Sequence, residues 1–142
     1  MITAVLAADP GVVPPAVAFA ASLTGQGRES VLVAPVTAGR PDVVVAAARI
    51  DDVEAPSPLD VGGADVDLAG VLAFAFVVGG TSGTAGWPLV AALRARGARC
   101  PAPALHVAGP PQDPTAAIGS FCRYWHPAVA GLVAARTQGS AA

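Results

Sequence analysis

Few residues in this chain are of a type and spacing that could do chemistry. The run Gly79-Gly80-Thr81-Ser82-Gly83-Thr84 combines backbone freedom with hydroxyls and stands shortly before a helical segment. N–H groups exposed by such a loop can cradle a phosphate or the polar edge of a flat cofactor. The competing explanation is a tight turn whose glycines serve geometry alone. The run lacks the lysine of a P-loop and does not follow the GxGxxG spacing of a dinucleotide loop. Ser82 follows Gly80, but Thr84 stands where a nucleophile elbow needs its second glycine. A triad of Ser82 with His106 or His126 and an acid such as Asp113 is therefore the weaker reading.

The other reactive types read as structural. His106 lies in an apolar run and His126 at the end of Phe121-Cys122-Arg123-Tyr124-Trp125-His126; hydrogen-bonded packing is the default for both. Phe121, Tyr124 and Trp125 form the main aromatic cluster, with Trp87 apart from it. Core or dimer packing is expected there, and an aromatic face against a flat ligand is the alternative. Cys100 and Cys122 belong to no cluster of metal-ligand spacing, cannot build a disulfide framework and have no base beside them, so both read as buried thiols. Asp51, Asp52, Glu54, Asp60, Asp65 and Asp67 crowd one stretch without the alternation and central glycine of a calcium loop. A solvated loop accounts for them, and no metal site is expected.

Composition narrows the partners. A net charge of −2 with only 13% charged residues leaves no basic footprint for nucleic acid. All eight basic residues are arginine, which excludes lysine-dependent mechanisms. Mean hydropathy is high at +0.59, yet the longest apolar run, Leu68 to Val78, falls short of the about 20 residues a membrane helix needs. Met1 to Ala8 is apolar without a preceding basic region, so a signal peptide is not expected. A cytoplasmic protein without membrane partners is expected, with its excess apolarity in a core or a homo-oligomeric or partner interface.

A chain of 142 residues suits a single domain that buries roughly two-thirds of its unfolded surface. Ile2 to Ala8 reads as a strand buried on both faces, stopped by Asp9-Pro10-Gly11. Pro14 and Pro15 then start a helix through Leu23, ended by Gly25 and Gly27. Ser30 to Ala34 and Asp42 to Ala47 are strands, joined by a connection short of the about twelve residues of a parallel crossover. Asp51 to Asp67 reads as a long loop. Leu72 to Val78 is the clearest strand. A helix over Pro88 to Arg96 carries Leu89, Val90 and Leu93 on one face, with Gly97 as its cap. Ala102 to Ala108 is a last strand, placed at a sheet edge by Pro103, and Ala116 to Ala135 a last helix containing Pro127. Residues 137–142 form a flexible tail after a single domain over 1–136.

Strands alternating with helices in this order predict an α/β fold, a flavodoxin-like open parallel sheet of about five strands with helices on both faces. Ligands of such sheets bind beyond the carboxyl ends of the strands, near the switch point of the strand order. That singles out the loops Asp9 to Pro15, Arg49 to Val61 and Gly79 to Gly86.

With these segments in place, Phe76-Val77-Val78-Gly79-Gly80-Thr81-Ser82, followed by Pro88 to Ala98 and Pro103 to Val107, resembles the NAD(P)H-dependent FMN reductase family over roughly the second half of the chain. In that family a strand ending in a Gly-Gly-Ser type loop, set beside the flavin ring, precedes a helix and a last strand. The resemblance implies FMN as cofactor, NAD(P)H as co-substrate and a ring-side role for Gly79, Gly80, Thr81 and Ser82, with Gly83 a further cofactor-binding candidate of the same loop. The first half departs from it. Asp9-Pro10-Gly11-Val12-Val13-Pro14-Pro15 stands where members carry a Ser/Thr/Arg-rich phosphate loop, and its acidic group disfavours phosphate. Ala47-Ala48-Arg49-Ile50 stands in place of a Pro-x-Tyr type loop, with Arg49 able to replace a phosphate or ring contact. The expected function is hydride transfer from NAD(P)H to flavin. The rival is a degenerate, non-catalytic flavodoxin-like subunit supporting an oligomer or a partner protein.

Overall fold

The computed structural model describes residues 2–7, 9–33, 41–49, 68–79, 86–107 and 115–141, with the backbone alone for 136–141. Five parallel strands, β1 (Thr3–Ala7), β2 (Val31–Val33), β3 (Val43–Arg49), β4 (Leu72–Val78) and β5 (Leu105–Val107), make one sheet in the order β2-β1-β3-β4-β5. This is the 2-1-3-4-5 order of a flavodoxin-like open sheet. The carboxyl ends of all strands therefore point to one edge, and the order reverses between β1 and β3.

The elements follow from side-chain periodicity. The strands read as unbroken apolar runs because helices cover both sheet faces. On one face Val5, Val43, Val45, Phe74 and Phe76 pack under α1 (Val13–Thr24) and α3 (Thr115–Ala141). Helix α1 contributes Ala16, Phe19, Ala20 and Leu23, a stripe at helical spacing, and α3 contributes Ile118, Cys122 and Val129. The alternate residues Ala4, Leu6, Val44, Ala46, Ala73, Ala75 and Val77 face Leu89, Val90 and Leu93 of α2 (Trp87–Ala95).

The aromatic residues join the two helices to the sheet. Phe74 and Phe76 are two apart on β4 and share a face; Phe121 and Trp125 are four apart on α3 and share a stripe. Phe19 lies 5.6 Å from Phe76 and 5.3 Å from Phe121 between ring centroids, and Phe74 lies 6.4 Å from Trp125. Phe121 and Trp125 are thus partly buried and pack against the core, whereas Tyr124 is 75% exposed.

Element ends differ from the sequence expectation where pairing extends them. Strand β3 continues past Ala47 to Arg49 because Ala48 and Arg49 still pair with Val77 and Val78 of β4. Helix α3 continues past Ala135 and runs through Pro127, whose ring nitrogen cannot donate to the carbonyl one turn earlier. Strand β5 lies at the edge of the sheet, in keeping with Pro103 just before it. Helix α1 ends on Gly25 at φ 73°, a left-handed position suited to glycine. There His126 Nδ1 meets the Leu23 carbonyl oxygen at 3.0 Å, tying α3 to the carbonyl end of α1. The stretches 34–40 and 51–67, the short connection and the acidic loop of the sequence reading, lie outside the described residues.

Candidate functional site at the carboxyl edge

The register of β1 with β3 brings two charged residues of this edge together. Ala7 pairs with Ala47, so two residues further on Asp9 and Arg49 leave neighbouring strands side by side. Arg49 Nε lies 2.8 Å from Asp9 Oδ2, and the other carboxylate oxygen, Oδ1, accepts the Gly11 N–H at 2.8 Å. The hydrogen bond from Arg49, then that from Gly11, hold the Asp9 carboxyl below its usual range against a smaller opposing effect of burial. Asp9 is a carboxylate at neutral pH. It caps the short 3₁₀ turn Pro10–Val12, which leads directly into α1.

An anion at this place would need the N–H groups at the start of α1, and each of residues 10–15 can be accounted for. Pro10, Pro14 and Pro15 have no N–H. Gly11 donates to the Asp9 side chain, Val12 to the Asp9 carbonyl at 3.2 Å, and Val13 to the Pro10 carbonyl. No donor in this segment remains for a ligand. The Arg49 guanidinium also lies over Gly11, its Nη2 3.1 Å from where a side-chain carbon at position 11 would stand. The backbone of residues 10–15 therefore offers no cradle for the phosphate of FMN, and the charge of Arg49 is already met by Asp9.

The end of β4 is built differently. Gly79 is buried at φ 95°, a left-handed conformation that only glycine adopts without strain. Its N–H donates to the Val107 carbonyl at 2.9 Å, and its carbonyl lies 2.7 Å from His106 Nε2. Because a carbonyl only accepts, Nε2 carries the proton and the histidine is a donor. Both polar groups of Gly79 are therefore held by β5. Its N–H is not offered to a ligand. Gly80, Thr81, Ser82 and Gly83 lie outside the described residues, as does Asp113.

Of the residues singled out from the sequence, Arg49 and Gly79 thus lie at the carboxyl ends of the adjacent strands β3 and β4, with Asp9 beside Arg49. Sequence reasoning placed Asp9 as an unfavourable charge and Arg49 as a separate contact; it missed that they neutralise each other. The legible signal was opposite charge just beyond two neighbouring parallel strands. The link from His106 to Gly79 had no such signal.

The remaining candidates are structural. Cys122 Sγ lies 3.7 Å from the Phe19 carbonyl oxygen, and burial pushes its thiol up to about 11. Burial also raises Cys100, outweighing the nearby charge of Arg94. Among the described residues, one cavity of about 240 Å³ lies between Leu72, Arg99 and Leu132, at the amino ends of the strands, and another of about 250 Å³ lies between Trp87, Arg94 and Pro103, beside α2 and the segment leading into β5. Among the described residues, no group of three His, Cys, Asp or Glu side chains is placed to hold a metal ion, and no helix is long and apolar enough to cross a membrane. Against known proteins, the chain matches no family model and no curated protein, so the function of this edge has to be argued from its own geometry.

Proposed function

We propose that this chain is a flavodoxin-like protein of the flavin-reductase type, taking a flavin as a diffusing substrate at the carboxyl edge of its sheet and hydride from NAD(P)H. The observation that supports this reading is Gly79. It ends β4, the strand between β3 and the edge strand β5, in a left-handed conformation whose N–H and carbonyl are both held by β5, one strand from Arg49 at the end of β3. A preorganised backbone turn at that place suits the edge of a flat ring. The ring itself would supply the redox chemistry, the nicotinamide giving up hydride and the solvent a proton, while the chain positions and shields it.

The test is a titration of the purified protein with riboflavin and FMN followed by flavin fluorescence, then addition of NADPH with its absorbance monitored. Quenching that saturates, followed by flavin-dependent loss of NADPH, is expected. Absence of binding to either flavin at high micromolar concentration overturns the reading.

A second reading, a non-catalytic flavodoxin-like subunit in an oligomer or with a protein partner, is favoured by the spent donors of residues 10–15 and by the exposure of Trp87 and Tyr124, 61% and 75%. Bound flavin without NADPH turnover, or self-association without flavin binding, would support it.

A further inference from the structure

We infer that this edge selects a flavin with an uncharged tail, riboflavin or a similar phosphate-free isoalloxazine, over FMN. The inference rests on the flavin reading above and concerns what that site excludes.

In a sheet of this strand order a phosphorylated ligand places its phosphate at the β1–α1 turn, where helix N–H groups and the positive end of the helix dipole favour an anion. Here the chain supplies that anion itself. The Asp9 carboxylate takes the Gly11 N–H and the Arg49 Nε, each at 2.8 Å. The other N–H groups of residues 10–15 go to backbone carbonyls or are absent at proline. A phosphate would have to displace Asp9 from both partners or stand beside its carboxylate, with no backbone donor of residues 10–15 to receive it and an Arg49 guanidinium whose charge Asp9 already neutralises. A neutral ribityl tail meets neither obstacle, because it brings no charge to set against Asp9 and needs no anion cradle. The arrangement therefore works by discrimination: it disfavours the charged ligand more than it favours the neutral one.

The experiment compares dissociation constants of riboflavin and FMN for the wild-type chain and for Asp9→Asn and Asp9→Gly. Asparagine keeps an oxygen to cap Gly11 and removes the charge; glycine removes both. Wild type is expected to bind riboflavin at least as tightly as FMN. In the variants the preference should move toward FMN by about tenfold, with riboflavin affinity little changed as the internal sign that the site is intact. FMN bound about tenfold more tightly than riboflavin by wild type would overturn the inference while leaving the flavin reading standing. An unchanged FMN-to-riboflavin ratio in both variants would overturn it as well. If neither flavin binds wild type, the flavin reading fails and the inference fails with it.

Discussion

A methyl group on Gly86 would overlap Ala104 Cβ and stand 3.3 Å from Val77 Cγ2. Helix α2 therefore starts pressed against the sheet, and its closest approach is made by a glycine on one side and an alanine on the other. Gly86→Ala is expected to destabilise the fold by about 1–3 kcal/mol through overpacking. Adding Ala104→Gly should recover part of that loss. Urea denaturation of the single and double variants measures both; equal stability of wild type and Gly86→Ala would mean that α2 moves away at no cost.

Phe19 is fully buried between Phe76 and Phe121, whereas Tyr124 touches Trp125 from outside and is 75% exposed. Phe19→Ala should cost about 3–5 kcal/mol, and Tyr124→Ala no more than about 0.5 kcal/mol. Thermal unfolding of the two variants ranks them directly. A comparable loss for both would place Tyr124 in an interface between copies, which its concentration dependence would reveal.

His106 gives its Nε2 proton to the carbonyl of Gly79. His106→Ala leaves that buried carbonyl without its side-chain partner and should cost about 1–3 kcal/mol. His106→Gln, whose amide can donate, should restore part of the stability. On the proposed function the alanine variant also weakens flavin binding, because Gly79 loses one of its two holds on β5.

Asp9 has a lowered pKa in the folded chain. A depressed carboxyl contributes stability that is present above its unfolded pKa and lost as pH falls through the folded one. Because the pair is partly exposed, at 41% and 31%, the contribution should stay below about 1 kcal/mol. Asp9→Asn, which keeps the cap, should therefore flatten the acid limb of the stability curve only slightly and leave the rest unchanged. A loss of several kcal/mol at neutral pH would show that the pair bears on the fold itself.

Cys122 titrates near 11 in the folded chain against an ordinary value of 9.0, and burial also raises Cys100. A thiol whose pKa is raised contributes stability fully present below its unfolded pKa and lost as pH rises through the folded one. Stability should fall between about pH 9 and 11, less steeply in Cys122→Ala. At pH 8 both cysteines should react slowly with a disulfide reagent and quickly once urea unfolds the chain. Cys122 is buried whereas Cys100, against the sequence expectation, is only half-buried, so Cys100 should be the faster of the two in the native protein; rapid native labelling of Cys122 would contradict its burial.

The sheet was largely legible in the sequence because each strand is an apolar run stopped by glycine, proline or a charge. Leu72–Val78 is the clearest case, and Gly25 and Gly97 likewise mark the ends of α1 and α2. Strand β3 reads only to Ala47 from the sequence, and Ala48 and Arg49 extend it because β4 pairs with them. The candidate site was legible as separate loops and charges, since spacing along the chain carries no information on which loop meets which.

Local periodicity and turn chemistry were therefore enough to determine an open α/β sheet, its helices and the edge at which ligands of such sheets bind. They act over a few residues, and the sequence displays them directly. Only the tertiary structure decided that Asp9 would be answered by Arg49, that β5 would clamp Gly79 from both sides, and that no N–H of residues 10–15 would be left for an anion. Those facts depend on strand register, which is set by the packing of the whole sheet, so a residue read alone as a ligand contact became part of an internal ion pair.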